Sequence, residues 1–223
     1  MRISKYIHSC LLIEKGADKI LFDPGRFSFI EGLVKPEQFE HLSAIVLTHQ
    51  HPDHIDDEAL ATILANNSSA VVLANTEIRT RLAQKGIATE VFETGSRALG
   101  SFTLAAFDAP HAPLLNATPP QNTAYLVDNS FLHPGDSFAD SLDAVKNTIA
   151  LALPIMAPWN TELEVAAFAG RIRPRQVIPI HDGYAKDFFR RARYENFENY
   201  FSRQGIDFLR LEVPGASVEV ESR

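Results

Sequence analysis

The sequence predicts an α+β fold: a four-layer αββα sandwich of two mixed β-sheets packed face to face, with helices on the outer faces. Three observations lead there. Short apolar strands joined by tight turns dominate the start and the middle of the chain. Segments with helical apolar spacing separate the later strands. The two halves also follow the same order, a meander and then strands with crossover helices. With 223 residues and 45% hydrophobic content, the chain reads as one domain over 1–223 with a full core.

The elements follow in order. ISKYIHS, CLLIEK and KILFDPG, with the turn KGADK between the last two, form an antiparallel meander. FSFIEGLVKPEQFEHL is mixed loop and short helix, and AIVLTH a buried strand. DDEALATILANN places Leu60, Ile63 and Leu64 at helical spacing, with acids in the first turn where the helix dipole favours them. SAVVLAN is a strand, TEIRTRLAQKG a helix closed by Gly86, and TEVFET a strand. SRALGSFTLAAFDAPH is a hairpin turning near Gly100, and NTAYLVDN and SFLHPGD make another strand pair. IALALPI is an apolar strand, TELEVAAFAGRIRP a helix stopped by Pro174, and QVIPIHD a strand. A long amphipathic helix, KDFFRRARYENFENYFSRQG, ends at Gly205, and DFLRLEVPGASVEV closes with one or two strands.

Composition narrows the function classes. No apolar run reaches the length of a membrane helix. The opening MRISKYIHSCLLIEK is interrupted by His8 and Ser9 and lacks a small-residue cleavage site, so it reads as a strand rather than a signal peptide. The single cysteine, Cys10, excludes an intrachain disulfide, fits a reducing compartment and is expected to be a buried small hydrophobe; a cytoplasmic location is expected. The net charge of −7 argues against nucleic-acid binding. The one dense basic cluster, FFRRARYENF, reads as a solvated helix face with an apolar stripe. The expected partner is a small-molecule substrate, neither nucleic acid nor membrane, with self-association left open.

The stretch LTHQHPDHI concentrates His49, His51, Asp53 and His54 in one short loop. Imidazole and carboxylate together suit zinc and similar divalent ions. His49 and His51 can point the same way in extended geometry, and Pro52 then breaks the chain so that Asp53 and His54 reach a neighbouring position. The proline excludes a helical His-x-x-x-His pair. One loop offers too many ligands for one ion, which suggests two ions close together. His111, Asp136 and His181 each follow an apolar run and lie beside Pro or Gly, where a rigid sheet carries a functional edge.

THQHPDH resembles the H-x-H-x-D-H signature of the metallo-β-lactamase-fold hydrolases. The other pieces of that pattern follow in family order: Asp23 in LFDPG, His111, the Gly-Asp pair ending at Asp136, and His181. The short opening meander, His8 and the VIPIHDG ending are most similar to a compact branch related to ascorbate-6-phosphate lactonase. The resemblance implies that His49, His51 and His111 hold a first metal and that Asp53, His54 and His181 hold a second, with Asp136 bridging. Asp23 would orient a ligand histidine or the loop. It further implies two divalent ions, Zn2+ before Mn2+ or Fe, and a metal-bridging hydroxide that attacks a small ester, lactone or phosphoester. Asp53 could hydrogen-bond that hydroxide.

Residues outside the signature carry weaker expectations. His8 is a candidate catalytic residue, as proton donor or anion ligand. His133 reads as structural or pocket wall, and His41 as a solvated helix end. Trp159 is expected to line a pocket and the proline-rich segment 112–122 to wall or cover it. Arg26 and Lys186 are candidates to hold an anionic group. The acidic charge balance argues against an RNA-processing nuclease, and the Asp-His ligand set against a lactam target. The alternatives are a diiron oxidoreductase of the same fold, a phosphodiesterase acting on nucleotides, or a scaffold without activity.

Overall fold

The computed structural model describes residues 1–221. The opening meander is β1 (Arg2–Lys5), β2 (Leu11–Lys15) and β3 (Asp18–Phe22), antiparallel throughout. After α1 (Arg26–Phe29), the chain alternates β4 (Ala44–Val46), α2 (Asp57–Asn66), β5 (Val71–Ala74), α3 (Thr76–Ala83) and β6 (Glu90–Val91). A second meander is β7 (Gly95–Leu99), β8 (Phe102–Asp108), β9 (Thr123–Val127) and β10 (Phe131–His133). It is followed by β11 (Ala150–Pro154), α4 (Glu162–Ile172), β12 (Gln176–Ile180), α5 (Asp187–Ser202), β13 (Asp207–Phe208) and β14 (Ala216–Glu219).

These strands form two seven-stranded sheets, ordered β14-β1-β2-β3-β4-β5-β6 and β13-β12-β11-β10-β9-β8-β7. Both are mixed. In each, the meander pairs antiparallel and the strands joined by crossover helices pair parallel, while β14 adds antiparallel to β1 at the edge of the first sheet. One expected strand is shorter than its apolar run: of TEVFET, only Glu90–Val91 pairs, at a sheet edge. The two halves do not stay separate either, because the last strand, β14, pairs with β1 in the first sheet.

Three apolar layers give the four-layer sandwich. Between the sheets, Ile13 and Phe22 from one pack with Tyr125 and Phe131 from the other. Leu60, Ile63, Ile78 and Leu82 of α2 and α3 cover the outer face of the first sheet. Phe168 of α4, with Tyr194, Phe197 and Phe201 of α5, covers the second. The interior strand β11 is buried along its whole length, because helices close one face and the facing sheet the other. The basic α5 cluster is a solvated face over a buried stripe, as its spacing predicted.

Side-chain caps set where the helices start. Asp56 accepts from the Glu58 and Ala59 amides at 3.1 and 3.0 Å, ending the histidine loop and opening α2. Asn75 does the same for α3, and Thr161 with Glu164 forms a capping box on α4. His41 is exposed in a loop at φ 60° and not at a helix end; the preceding Pro36–Gln38 turn is only a short 3-10 segment. No helix among the described residues is long and apolar enough to cross a membrane.

Candidate metal centre

Six loops meet at one edge of the sandwich. They follow β1 (His8), β3 (Asp23), β4 (Thr48 to His54), β8 (His111), β10 (Asp136) and β12 (His181). Three of these residues adopt left-handed backbone: His8 at φ 62°, Asp23 at 42° and His181 at 66°. For a side chain bearing a Cβ this conformation costs about 1–3 kcal/mol and persists only where the surroundings hold it. The hydrogen bonds at each turn do so. Asp23 N donates to Val46 O at 3.1 Å, and His181 N donates to His8 O at 3.3 Å.

The ring nitrogens can be assigned from partners that can only donate or only accept. Asp23 Oδ2 accepts the Thr48 hydroxyl at 2.6 Å and the His54 Nδ1–H at 2.7 Å. Thr48 has then spent its proton, so its oxygen accepts from His49 Nδ1–H at 3.1 Å. His111 Nδ1–H donates to Ala112 O and His181 Nδ1–H to Met156 O, both at 2.6 Å. Four imidazoles are thereby held with Nδ1 protonated and the Nε2 lone pair turned into the site.

Those lone pairs converge on Asp136. Its carboxylate oxygens lie 3.0 Å from His181 Nε2, 3.2 Å from His54 Nε2, 3.6 Å from His111 Nε2 and 3.9 Å from His49 Nε2. His54 Nε2, His111 Nε2 and Asp136 Oδ1 are buried without a hydrogen-bond partner. Lone pairs facing a carboxylate in a dry pocket repel one another unless positive charge lies between them. Two donor groups result: His49, His51, His111 and Asp136; and His8, Asp53, His54 and His181. Within each, the ligand atoms lie within 4.8 Å of one another. This donor set fits divalent cations of the zinc type.

The electrostatics carry the same demand for positive charge. Burial disfavours the charged ring of His54, but Asp136 and Asp23 outweigh it and hold its pKa well above the usual histidine value. His181 is raised in the same way, mainly by Asp136 against its own burial. Burial opposes ionisation of Asp136 too, yet His181, His54 and His49 pull its pKa well below the carboxylate range. Burial lowers His49, and the neighbouring His54 adds to it.

His8 differs from the other rings. The Gly183 amide donates to its Nδ1 at 3.0 Å, so the proton sits on Nε2, which donates to Asp53 Oδ2 at 3.1 Å. Burial and the neighbouring His181 lower its pKa to about 4, so the ring is neutral at ordinary pH. His8 is close enough to be counted among the second group's donors, but its available nitrogen carries a hydrogen and not a lone pair.

The structure brings together every residue of the H-x-H-x-D-H loop with His111, Asp136, His181, Asp23 and His8. His133 is fully buried, stacks on Phe22 at 5.3 Å and accepts from the Gly135 amide at Nδ1, which makes it a wall beneath the site. Trp159 reaches the centre, its indole N–H donating to Asp136 Oδ2 at 3.1 Å. Cys10 is buried. Arg26 and Lys186 are exposed and fall in neither donor group. Sequence reasoning missed Thr48, which relays Asp23 to His49, and Asn122, which binds Ala109 O, Pro134 O and the Asp136 amide together. It also missed Tyr184, whose ring lies 5.8 Å from that of His8 and 5.9 Å from that of His181. The sequence signal was faint: an Asn closing a proline-rich loop and a Tyr three residues beyond a ligand-type His.

Comparison with known proteins places the chain. Residues 2–181 match the family model described as a beta-lactamase superfamily domain. Protein Rv0786c of Mycobacterium tuberculosis is 35% identical over 188 residues, covering 81% of this chain and 84% of that protein. The UPF0173 metal-dependent hydrolase YtkL of Bacillus subtilis is 28% identical over 201 residues, covering 81% and 85%. Among solved structures, the metallo hydrolase Igni18 from the hyperthermophilic archaeon Ignicoccus hospitalis matches with a TM-score of 0.73 at 22% identity, over 97% of both chains. The strand order, the convergent loops and these matches together identify the chain as a member of the beta-lactamase superfamily, built on the metallo-β-lactamase fold.

Proposed function

We propose that the protein is a metal-dependent hydrolase that cleaves a small ester, lactone or phosphoester. One observation carries the reading: a single buried carboxylate, Asp136, faces ring nitrogens of both donor groups, each held with its lone pair inward. Two divalent cations, Zn2+ with Mn2+ or Fe as the alternatives, would be held by His49, His51 and His111 on one side and by Asp53, His54 and His181 on the other, with Asp136 between. When bound, they supply a Lewis acid for the scissile group and lower the pKa of a water for attack.

The chain's own residues do the rest. Asp23 fixes His54 directly and His49 through Thr48. Trp159 holds one Asp136 oxygen by its N–H. His8 orients Asp53 through Nε2–H, on the side that Tyr184 flanks. The donor side chains lie at the bottom of the site, mostly buried, so that charge interactions there are weakly screened.

The test is metal analysis of the purified protein alongside turnover of p-nitrophenyl esters, simple lactones and bis-p-nitrophenyl phosphate. Two equivalents of zinc or manganese with hydrolysis of one class, both lost in Asp136→Ala, is the expected result. Iron with a visible absorption band and no hydrolysis would move the protein to the oxidoreductase alternative. Full metal and full turnover in Asp136→Ala would overturn the reading.

A further inference from the structure

We propose that the substrate carries an unbranched or aromatic acyl arm and that a cavity beside His111 receives it. The inference rests on the hydrolase reading of the adjoining centre and extends it to substrate class. The cavity measures about 520 Å³ and shares His111 and Trp159 with the candidate metal centre. That is within the range of small-molecule sites.

Its lining says what it takes. Phe138 stacks on Phe168 with ring centroids 4.6 Å apart and meets Trp159 edge-on at 5.1 Å, giving a continuous aromatic wall. Trp159 has its only N–H turned away to Asp136, so it presents ring surface. Two charged side chains, Arg171 and Glu164, reach the cavity. Arg171 binds Phe138 O and Asp140, with Asp143 at 3.3 Å, and its guanidinium lies over the Phe168 ring. Glu164 accepts from the Thr161 amide and hydroxyl, both at 2.8 Å. An anionic arm would find its one cation, Arg171, already committed, and burying it there would be unfavourable. An acyl arm lying here puts its carbonyl end at His111 and Asp136, where the donor groups converge.

The chain has a single tryptophan, so its emission reports on this wall directly. Sodium acetate, butyrate, hexanoate and octanoate are titrated into the metal-loaded protein while tryptophan fluorescence is followed. The p-nitrophenyl esters of the same acids are assayed in parallel. Affinity and kcat/KM are expected to rise together by about four-fold per added methylene until the cavity is full. Ala167→Phe, a substitution at an exposed position of α4 on the cavity wall, places a ring in the space and is expected to flatten both series. Turnover of the acetate ester with no gain along either series would overturn the acyl-arm assignment and leave the hydrolase reading standing. Fluorescence affinity that grows with chain length while no ester, lactone or bis-p-nitrophenyl phosphate is cleaved would keep the cavity's assignment and overturn the hydrolase reading. Unchanged chain-length dependence in Ala167→Phe would overturn the cavity as the binding place.

Discussion

The Gly183 amide nitrogen lies 3.0 Å from Nδ1 of His8 and donates its hydrogen to it, across 175 positions of the chain. A backbone N–H can only donate, so this one contact decides the tautomer of a buried ring in the centre of the site. It makes His8 a donor to Asp53 beside four rings held with a lone pair inward. His8→Gln is therefore expected to keep the metal content of the parent protein while turnover falls by about 10- to 100-fold, the ordinary worth of a partner that orients a ligand carboxylate. Mass-spectrometric metal analysis and kcat on the same samples check this. Loss of one metal equivalent would instead make Nε2 a ligand.

Asp23 touches no substrate but governs two of the rings. Asn at this position keeps the shape but turns one acceptor oxygen into an NH2, so either the Thr48 amide, which Oδ1 accepts at 2.8 Å, or both the Thr48 hydroxyl and His54 Nδ1–H lose their partner. Asp23→Asn is expected to weaken metal affinity by about 10- to 100-fold, as losses behind a ligand histidine do. Competition against a chromophoric chelator measures it. An unchanged affinity would mean that the Asp23–Thr48–His49 relay is not what orients the site.

Two glycines separate close packing from conformational freedom. A Cβ on Gly25 would lie 1.7 Å from the Asp53 backbone oxygen, so the Asp23 turn and the histidine loop touch only because this side chain is missing. Gly25→Ala is expected to cost about 1–3 kcal/mol in urea unfolding and to lower metal affinity with it. Gly170, in α4, has open space around it and an ordinary helical backbone. Gly170→Ala is expected to stabilise by about 0.8–1 kcal/mol. Equal behaviour of the two variants would contradict the packing described for the loop.

A pH effect is expected far from the metal centre. Asp18 ties the sheets together, accepting from Ser101 N at 2.7 Å and from Ser43 Oγ at 3.0 Å. The Ser101 backbone bond, then the Ser101 and Ser43 hydroxyls, hold its pKa below the usual 3.8. A depressed folded-state value means that the unfolded chain takes up its proton first as pH falls. The contribution is thus complete above about pH 3.8 and fades as pH drops through the lower folded value. Asp18→Asn should melt below the parent above that pH, with the gap narrowing in more acid solution. A gap that stays constant to the lowest pH would rule out the carboxylate's charge as its source.

Much of this molecule could be read from the chain. The apolar alternation of the two meanders and the 3.6-residue spacing of α2 to α5 are local properties, so they show directly in the residues. The compact loop from His49 to His54 shows for the same reason: its donors are neighbours in sequence, and Pro52 bars them from regular structure. Family order added His111, Asp136 and His181, which nothing local would have joined to it.

Tertiary structure decided what depends on several chain ends meeting. His8 and His133 are both fully buried histidines near strand ends, and nothing in their flanking residues tells them apart. One packs on Phe22 beneath the site, while the other donates into it because Gly183, on the loop after β12 of the facing sheet, presents its N–H. The pairing of β14 with β1, the Thr48 relay and the aromatic wall beside His111 arise in the same way, from contacts between distant segments. Residue order sets which face of an element is apolar and which loops can hold a donor. Which nitrogen carries a proton, and what surface lies beside it, is set only when both sheets close on a shared core.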